Sequence, residues 1–218
     1  MIITILPPTA GTATVGGFDL ARDPGKIRRL IGYVPQILSA DGTLTGRENL
    51  MIFAKLYDIP KGERARRIEE SLDFMGLMDA SDKLVRDYSG GMIRRLEIAQ
   101  SMLHHPRILF LDEPTIGLDP VGRRAVWDHI QKLRADFGTT IFLTTHYMEE
   151  ADKLCSRVAI MHLGKLAVIG SPASLKASLG NEEATLDDVF VHYTGGTLDR
   201  SEGFREASRT RRTARRLG

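Results

Sequence analysis

Between Tyr88 and Pro120 the chain reads YSGGMIRRLEIAQSMLHHPRILFLDEPTIGLDP, and this stretch limits the possible folds more than any other. Ser89 ahead of Gly90-Gly91 has the character of a helix N-cap, and the open N–H groups and positive dipole end of such a helix form an anion site. Ile108-Leu109-Phe110-Leu111 is a continuous apolar run, as expected for a strand covered on both faces. It delivers Asp112 and Glu113 to its carboxyl end, where α/β folds place their ligands. A helix with an anion-binding start, leading into a buried strand that opens onto two carboxylates, points to an α/β core with a polar site at one end of its sheet.

The rest of the chain fits that core, because short apolar runs alternate with helical periodicity. A strand is predicted from about Leu30 to Val34, and Ile141-Phe142-Leu143 is predicted as a second strand covered on both faces. Thr45-Gly46-Arg47-Glu48 has capping-box spacing, with Leu50, Phe53, Ala54 and Tyr57 forming one apolar face behind it. A further helix from about Lys61 is predicted to turn Ala65, Ile68, Leu72 and Met75 inward. Residues 45–105 therefore read as a helical lobe inserted between core strands. After Asp119-Pro120 a helix is predicted to about Phe137, with Val126, Ile130, Leu133 and Phe137 inward. Val158 to His162 and Lys165 to Ile169 flank Leu163-Gly164 as a hairpin. Ser171-Pro172 opens a helix, and Thr185 to Phe190 begins a last one that ends near Gly195-Gly196.

Composition narrows the classes. No apolar run approaches the roughly 18–20 residues needed to cross a bilayer, so a transport role requires a separate membrane subunit. The start MIITILPP has no basic n-region and does not read as a secretory signal. A single cysteine, Cys155, excludes an internal disulfide, fits a reducing compartment and reads as a packing residue. Seven arginines against three acids from Gly195 to Gly218 leave +4 on the tail and −2 on the body of a chain whose total is +2. This tail is expected to be solvated and disordered, with anionic lipid or nucleic acid as the sharper alternative. His104 and His105 before Pro106 read as turn residues, and the Cys/His cluster that a zinc site needs is missing from the sequence.

The stretch from Tyr88 to Pro120 resembles the core of an ABC-family ATPase subunit, with Ser89-Gly90-Gly91 as the signature loop and Ile108 to Asp112 as the Walker B strand. Tyr88 and Met92 stand where the family usually has Leu and Gln, a departure that resembles the drug-exporter branch typified by daunorubicin-resistance-type ATPases. Gln36 after Ile31-Gly32-Tyr33-Val34-Pro35, followed by Asp41 to Leu50, resembles the Q-loop segment of the same branch. The resemblance covers roughly residues 4–195 and implies ATP and Mg2+ as ligands. It assigns Asp112 and Gln36 to the magnesium, Glu113 to the attacking water, and His146 to the γ-phosphate. Ser89, Gly90, Gly91 and the D-loop aspartate Asp119 are assigned to the nucleotide site across a head-to-tail dimer. Ser89 is an ordinary N-cap at the same time, and a lone histidine at a strand end such as His146 is more often structural.

One part is missing from this pattern. Neither Gly-Lys pair fits the phosphate-binding loop G-x-x-x-x-G-K-[ST]: Gly25-Lys26 runs into Ile27 with Leu20 in place of the first glycine, and Gly164-Lys165 runs into Leu166 with Ala159 there. Pro8 to Val15 resembles the P-x-x-G-x-x-x-V segment that follows this loop in the family, so Met1 to Leu6 is expected to be the tail of the helix the loop opens. The expected fold is thus a P-loop NTPase-like (ABC ATPase) α/β core with an inserted helical lobe, its N-terminal strands and P-loop missing. Residues 1–194 form the domain and 195–218 the basic tail. Charge-assisted hydrogen bonds contribute about 1.5–3 kcal/mol each. Losing three of them and the lysine weakens nucleotide binding by roughly 5 kcal/mol, several-thousand-fold.

The resemblance implies an ATP-hydrolysing subunit of a drug exporter at the cytoplasmic face of the membrane. It would work with a transmembrane permease subunit and pair as a homodimer or heterodimer, with no specific nucleic acid. As written it is expected to be inactive alone. The alternative is a non-catalytic partner that completes another chain's site through its signature loop. Translation and DNA-repair ABC proteins carry duplicated domains or long coiled coils, which this chain lacks. Two origins are open, an internal Met1 of a longer subunit, which we expect, or a protein that dispenses with the loop; the DNA upstream of Met1 decides between them.

Overall fold

The computed structural model describes residues 1–181 and 183–195; the arginine-rich tail lies outside the described residues from 196 onward. The chain divides into two compact units, Met1–Thr144 and Thr145–Gly218.

The first unit is built on a three-stranded parallel sheet, β3 (Ile31–Val34), β4 (Ile108–Asp112) and β5 (Thr140–Thr144), with β4 in the middle. Its register sets Tyr33 opposite Phe110 and Asp112 opposite Thr144. Before the sheet come a small hairpin, β1 (Thr14–Val15) with β2 (Phe18–Asp19), and helix α1 (Pro24–Leu30). Val15, Leu20 and Ile27 from this region pack with Ile31 and Phe110 in one cluster over β3 and β4 on one face of the sheet. Alternation along β4 sends Leu109 and Leu111 to the other face, where both are buried.

Between β3 and β4 the chain forms α2 (Gly46–Leu56), α3 (Lys61–Phe74), two short 3-10 turns, and α4 (Gly90–Met102). The capping box at α2 is fully made: Thr45 Oγ1 accepts from Glu48 N at 3.1 Å, and Thr45 N donates to Glu48 Oε2 at 2.8 Å. α5 (Pro120–Phe137) follows β4 and ends at Gly138, whose φ of 62° is the left-handed value that a helix C-terminus favours in glycine.

Four sequence expectations need correction. Met1 to Leu6 is not helical; it bends through a turn in which Thr4 N donates to Met1 O at 2.8 Å. So short a segment cannot offset helix nucleation, and Pro7 disfavours helical backbone at Leu6. β5 is not covered on both faces, since Phe142 is 50% exposed. Among the described residues β5 pairs only with β4, and a continuous apolar run does not tell a central strand from an edge strand. Phe137 is also 50% exposed; it ends α5 and meets Phe74 edge-on, with ring centroids 5.3 Å apart. Ala65 is exposed because the buried stripe of α3 is Ile68 and Leu72, continued by Met75.

The second unit contains α6 (Met148–Leu154), the antiparallel hairpin β6 (Val158–His162) with β7 (Lys165–Gly170), α7 (Pro172–Ala177) and α8 (Leu186–Thr194). Its core is Met148, Ala151, Ile160, Leu175, Leu186 and Val189. Leu163 and Gly164 both have positive φ, which the tight hairpin turn requires. Ser171 and Thr185 cap α7 and α8 through Ser174 N and Asp188 N. Cys155, the single cysteine of the sequence, is half-buried and forms no disulfide within the chain. Among the described residues no helix is long and apolar enough to cross a membrane.

Candidate functional site

The start of α4 is fixed from below. Tyr88 is buried, and its hydroxyl donates to Ala80 O at 2.6 Å. A Cβ on Gly46 would strike that hydroxyl, so the tyrosine and this glycine fit together. One residue later Ser89 turns outward and caps α4, its Oγ accepting from Met92 N at 3.3 Å. Gly90 and Gly91 then pass against the start of α5. A Cβ on Gly90 would lie 3.1 Å from Leu118 Cδ2, and one on Gly91 3.1 Å from Gly122 Cα. The structure therefore gives these glycines a packing role within the chain beside the ligand role expected of them.

Asp119 caps α5: its Oδ1 accepts from Gly122 N at 2.9 Å and from Val121 N at 3.0 Å. These bonds, the one from Gly122 foremost, hold its carboxyl below the ordinary aspartate range. A depressed folded-state pKa means that the cap's stabilisation is present above the ordinary value of about 3.9 and is lost as pH falls through the folded value. We expect Asp119→Asn, which keeps a good N-cap but cannot titrate, to show a shallower fall in melting temperature between pH 5 and pH 3 than the parent. Parallel acid limbs for the two proteins would contradict this.

Asp112 ends β4. It accepts a hydrogen bond from Thr144 Oγ1, its partner in register on β5. On the other side stands Tyr33 of β3, whose phenol is raised by burial first and then by the charge of Asp112 and its hydrogen bond with it. Glu113 leaves the strand with φ of 48°, its N–H donating to Thr144 O at 3.1 Å and to Thr144 Oγ1 at 3.2 Å. Left-handed backbone in a non-glycine residue is costly and is held here by these bonds. Tyr33 and Thr144 were missed by sequence reasoning. They share the carboxyl ends of the strands flanking β4, a relation visible only once the register is known.

Gln36 is exposed on the loop after β3, and its main-chain oxygen accepts from Arg94 Nη2 at 2.8 Å. Arg94 also donates to Pro35 O at 2.7 Å and to Glu97 Oε2 at 3.0 Å. Glu97 Oε1 accepts from the N–H of Ser39, from Ser39 Oγ at 3.2 Å and from Ala40 N at 3.3 Å. Burial pushes the Glu97 carboxyl up, more than Arg94 and these N–H groups pull it down. Both partners are buried, so desolvation outweighs attraction even in this close pair. Neither residue stood out in the sequence, where an Arg/Glu pair on a helix reads as a solvated face.

His146 belongs to the second unit. It is exposed, follows β5 by two residues in the chain, and its ring centroid lies 4.2 Å from that of Tyr147. Of the expected site residues, the structure thus brings Ser89, Gly90, Gly91 and Asp119 together where α4 and α5 start. It places Asp112 and Glu113 at the end of β4 and ties Gln36 to α4. His104 is structural, as expected of a turn histidine: it stacks on Tyr57 with centroids 3.9 Å apart, and its Nε2 pairs with Ile31 O at 3.0 Å.

Among the described residues no three His, Cys, Asp or Glu side chains come together as a metal cage. Mg2+ is usually held by one or two carboxylates together with substrate phosphates, and the Asp112 carboxylate at the end of β4 is a donor of that type.

Comparison with known proteins bears on the family and the fold. The ABC transporter family profile matches residues 1–116. The daunorubicin/doxorubicin resistance ATP-binding protein DrrA of Streptomyces peucetius is 45% identical over 181 residues, which are 83% of this chain and 54% of DrrA. The linearmycin resistance ATP-binding protein LnrL of Bacillus subtilis is 37% identical over 182 residues, 84% of this chain and 58% of LnrL. The chain thus spans little more than half the length of these relatives. Among solved structures, an ATP binding subunit of an ABC transporter superposes with a TM-score of 0.73 at 27% identity, covering 88% of this chain and 80% of that one. CbiO1 from Clostridium perfringens, part of the ABC transporter complex CbiONQ, gives 0.74 at 26%, covering 82% and 72%. The chain belongs to the ABC transporter family, in the branch of ATP-binding subunits that includes drug-resistance proteins.

Proposed function

We propose that this chain is the ATP-binding, ATP-hydrolysing subunit of an ABC exporter, coupling hydrolysis to the export of drugs or other hydrophobic compounds through a separate transmembrane permease. The observation that carries the reading is the start of α4. Ser89 caps it, and Gly91 rests against the backbone of Gly122, so the first-turn N–H groups are offered from a fixed frame. Such a frame suits a phosphate group.

In this reading Ser89, Gly90, Gly91 and Asp119 complete a nucleotide site on a second ATP-binding subunit, of the same or a different kind. Asp112 and Gln36 hold Mg2+, whose charge offsets that of the phosphate oxygens. Glu113 orients the attacking water, and His146 meets the γ-phosphate. The names of DrrA and LnrL, both resistance proteins, support the substrate class. Support for a membrane partner comes from exposed apolar side chains. Ile37 and Leu38 stand on the loop of Gln36, and Ile52 and Leu56 share one face of α2. Such a partner holds the subunit at the cytoplasmic face of the membrane.

The phosphate loop is missing from the sequence, so the 218-residue chain is expected to show no ATP binding at micromolar concentration by calorimetry; a measurable micromolar affinity would sink this expectation. Mixed with a full-length ATP-binding subunit that carries the loop, it is expected to raise ATP turnover, and Ser89→Ala with Gly90→Asp is expected to abolish the gain. No gain from the parent chain would refute the reading. A gain that depends on Ser89 also fits the runner-up, a non-catalytic partner that completes another chain's site; the runner-up is favoured if turnover stays unaffected by Glu113→Gln even after a phosphate loop is fused ahead of this chain.

A further inference from the structure

α4 carries a buried polar stripe that the nucleotide chemistry does not use. Arg94, Glu97, Gln100 and Ser101 recur at helical spacing and are all buried. Each reaches across to the segment that runs from β3 to α2. Arg94 donates to the carbonyls of Pro35 and Gln36, and Glu97 accepts from the N–H groups of Ser39 and Ala40 and from the Ser39 hydroxyl. Ser101 Oγ donates to Tyr33 O at 3.0 Å. Gln100 Nε2 donates at 3.4 Å to Asn49 Oδ1, and that same oxygen accepts from Asp41 N at 2.9 Å. The loop is held at both ends, while its tip, Ile37-Leu38, is left exposed.

Stability alone does not account for the ions. A buried ion pair is often matched or bettered by apolar side chains of similar size, so its presence calls for something that apolar groups cannot do. Here that is holding five main-chain and hydroxyl groups of one loop. The pair also sits close to the anion-binding start of its helix, since Arg94 is only four residues past Gly90, about 6 Å along the axis at 1.5 Å per residue.

We propose that Arg94 and Glu97 are positioning residues that lock the loop carrying Gln36 to the helix carrying Ser89-Gly90-Gly91, so that loop and helix start move as one body. Pressure on the Ile37-Leu38 tip then displaces the helix start with it. The catalytic significance rests on the function proposed above; the lock itself does not.

The test uses the full chain with Arg94→Met and Glu97→Met combined, which removes both charges without stranding either. The double variant is expected to fold, with a melting temperature within a few degrees of the parent. Amide exchange at Ser39 and Ala40 is expected to speed up about tenfold while the amides of α4 keep their protection. Unchanged exchange at Ser39 and Ala40 in the folded variant overturns the lock. In the mixed complex with a loop-bearing subunit, the kcat for ATP is expected to fall about tenfold at a KM changed less than about twofold, the pattern of lost positioning. Faster loop exchange at an unchanged kcat overturns the positioning role. Should the double variant fail to fold, Glu97→Gln takes its place: it keeps the shape and loses the charge, and the same two amides must again exchange faster. A parent mixture without turnover refutes the proposed function, and the exchange measurement still decides the lock.

Discussion

Glu97→Ala is expected to cost about 3–5 kcal/mol of unfolding free energy, a large fraction of what a domain of this size has. The side chains of Glu97 and Arg94 are each only 2% exposed. Removing the carboxylate breaks the buried ion pair with the Arg94 guanidinium, and takes the acceptor from the N–H groups of Ser39 and Ala40. The broken buried pair accounts for most of the cost, and the lost acceptor adds to it. Denaturant unfolding followed by circular dichroism measures the effect as a lower midpoint at an unchanged slope. A loss under about 1 kcal/mol would show that water reaches Arg94 and that the pair is not buried in solution. The comparison with the double methionine variant separates the two contributions: the single change leaves one buried ion of the pair in place and the double change leaves neither.

The second large effect is expected at Gly32, in the middle of β3. A Cβ there would lie 2.6 Å from Ser101 O, 2.9 Å from Leu109 Cδ1 and 3.2 Å from Pro106 Cγ. The nearest obstacle is a main-chain oxygen of α4, which cannot swing aside as the end of a flexible side chain does. Helix and strand must separate, so Gly32→Ala is expected to cost about 3 kcal/mol, at the upper end for overpacking by a small group. Because β3 leads into the loop of Gln36, the same separation should loosen that loop. Gly25→Ala is the control, since a Cβ there meets nothing within 4 Å and the residue lies in α1. It is expected to leave the unfolding midpoint unchanged or slightly raised. Equal losses from the two substitutions would refute the close-approach account.

What was legible in the sequence was local. Thr45, Ser89, Ser171 and Thr185 announced helix starts because a cap depends on a few neighbouring residues, and all four accept the expected main-chain hydrogen bond. The apolar run of β4 announced a buried strand for the same reason. What depended on distant partners stayed hidden. Asp112 could be picked out, but its hydroxyl neighbours Tyr33 and Thr144 needed the strand register. Asp119 was read for a second subunit, and its bonds to Val121 and Gly122, which cap its own helix, are an additional local role. That β5 pairs with β4 alone among the described residues could not be told from an apolar run, and the hairpin strands Thr14–Val15 and Phe18–Asp19 are too short to carry any period. The polar stripe of α4 was invisible because charged residues on a helix usually face water.

Where Gly91 meets Gly122, two helix starts touch through main chain alone. Contacts between side chains are compliant, because a rotamer change absorbs a small shift. Here there is no side chain on either side to give way, so the joint behaves as a stiff gear. A methyl group on Gly91 would lie 3.1 Å from Gly122 Cα, so main chain has to give way there, whereas one on Gly122 would meet only the Asp119 carboxylate at ordinary contact distance: the joint is tight from the α4 side alone.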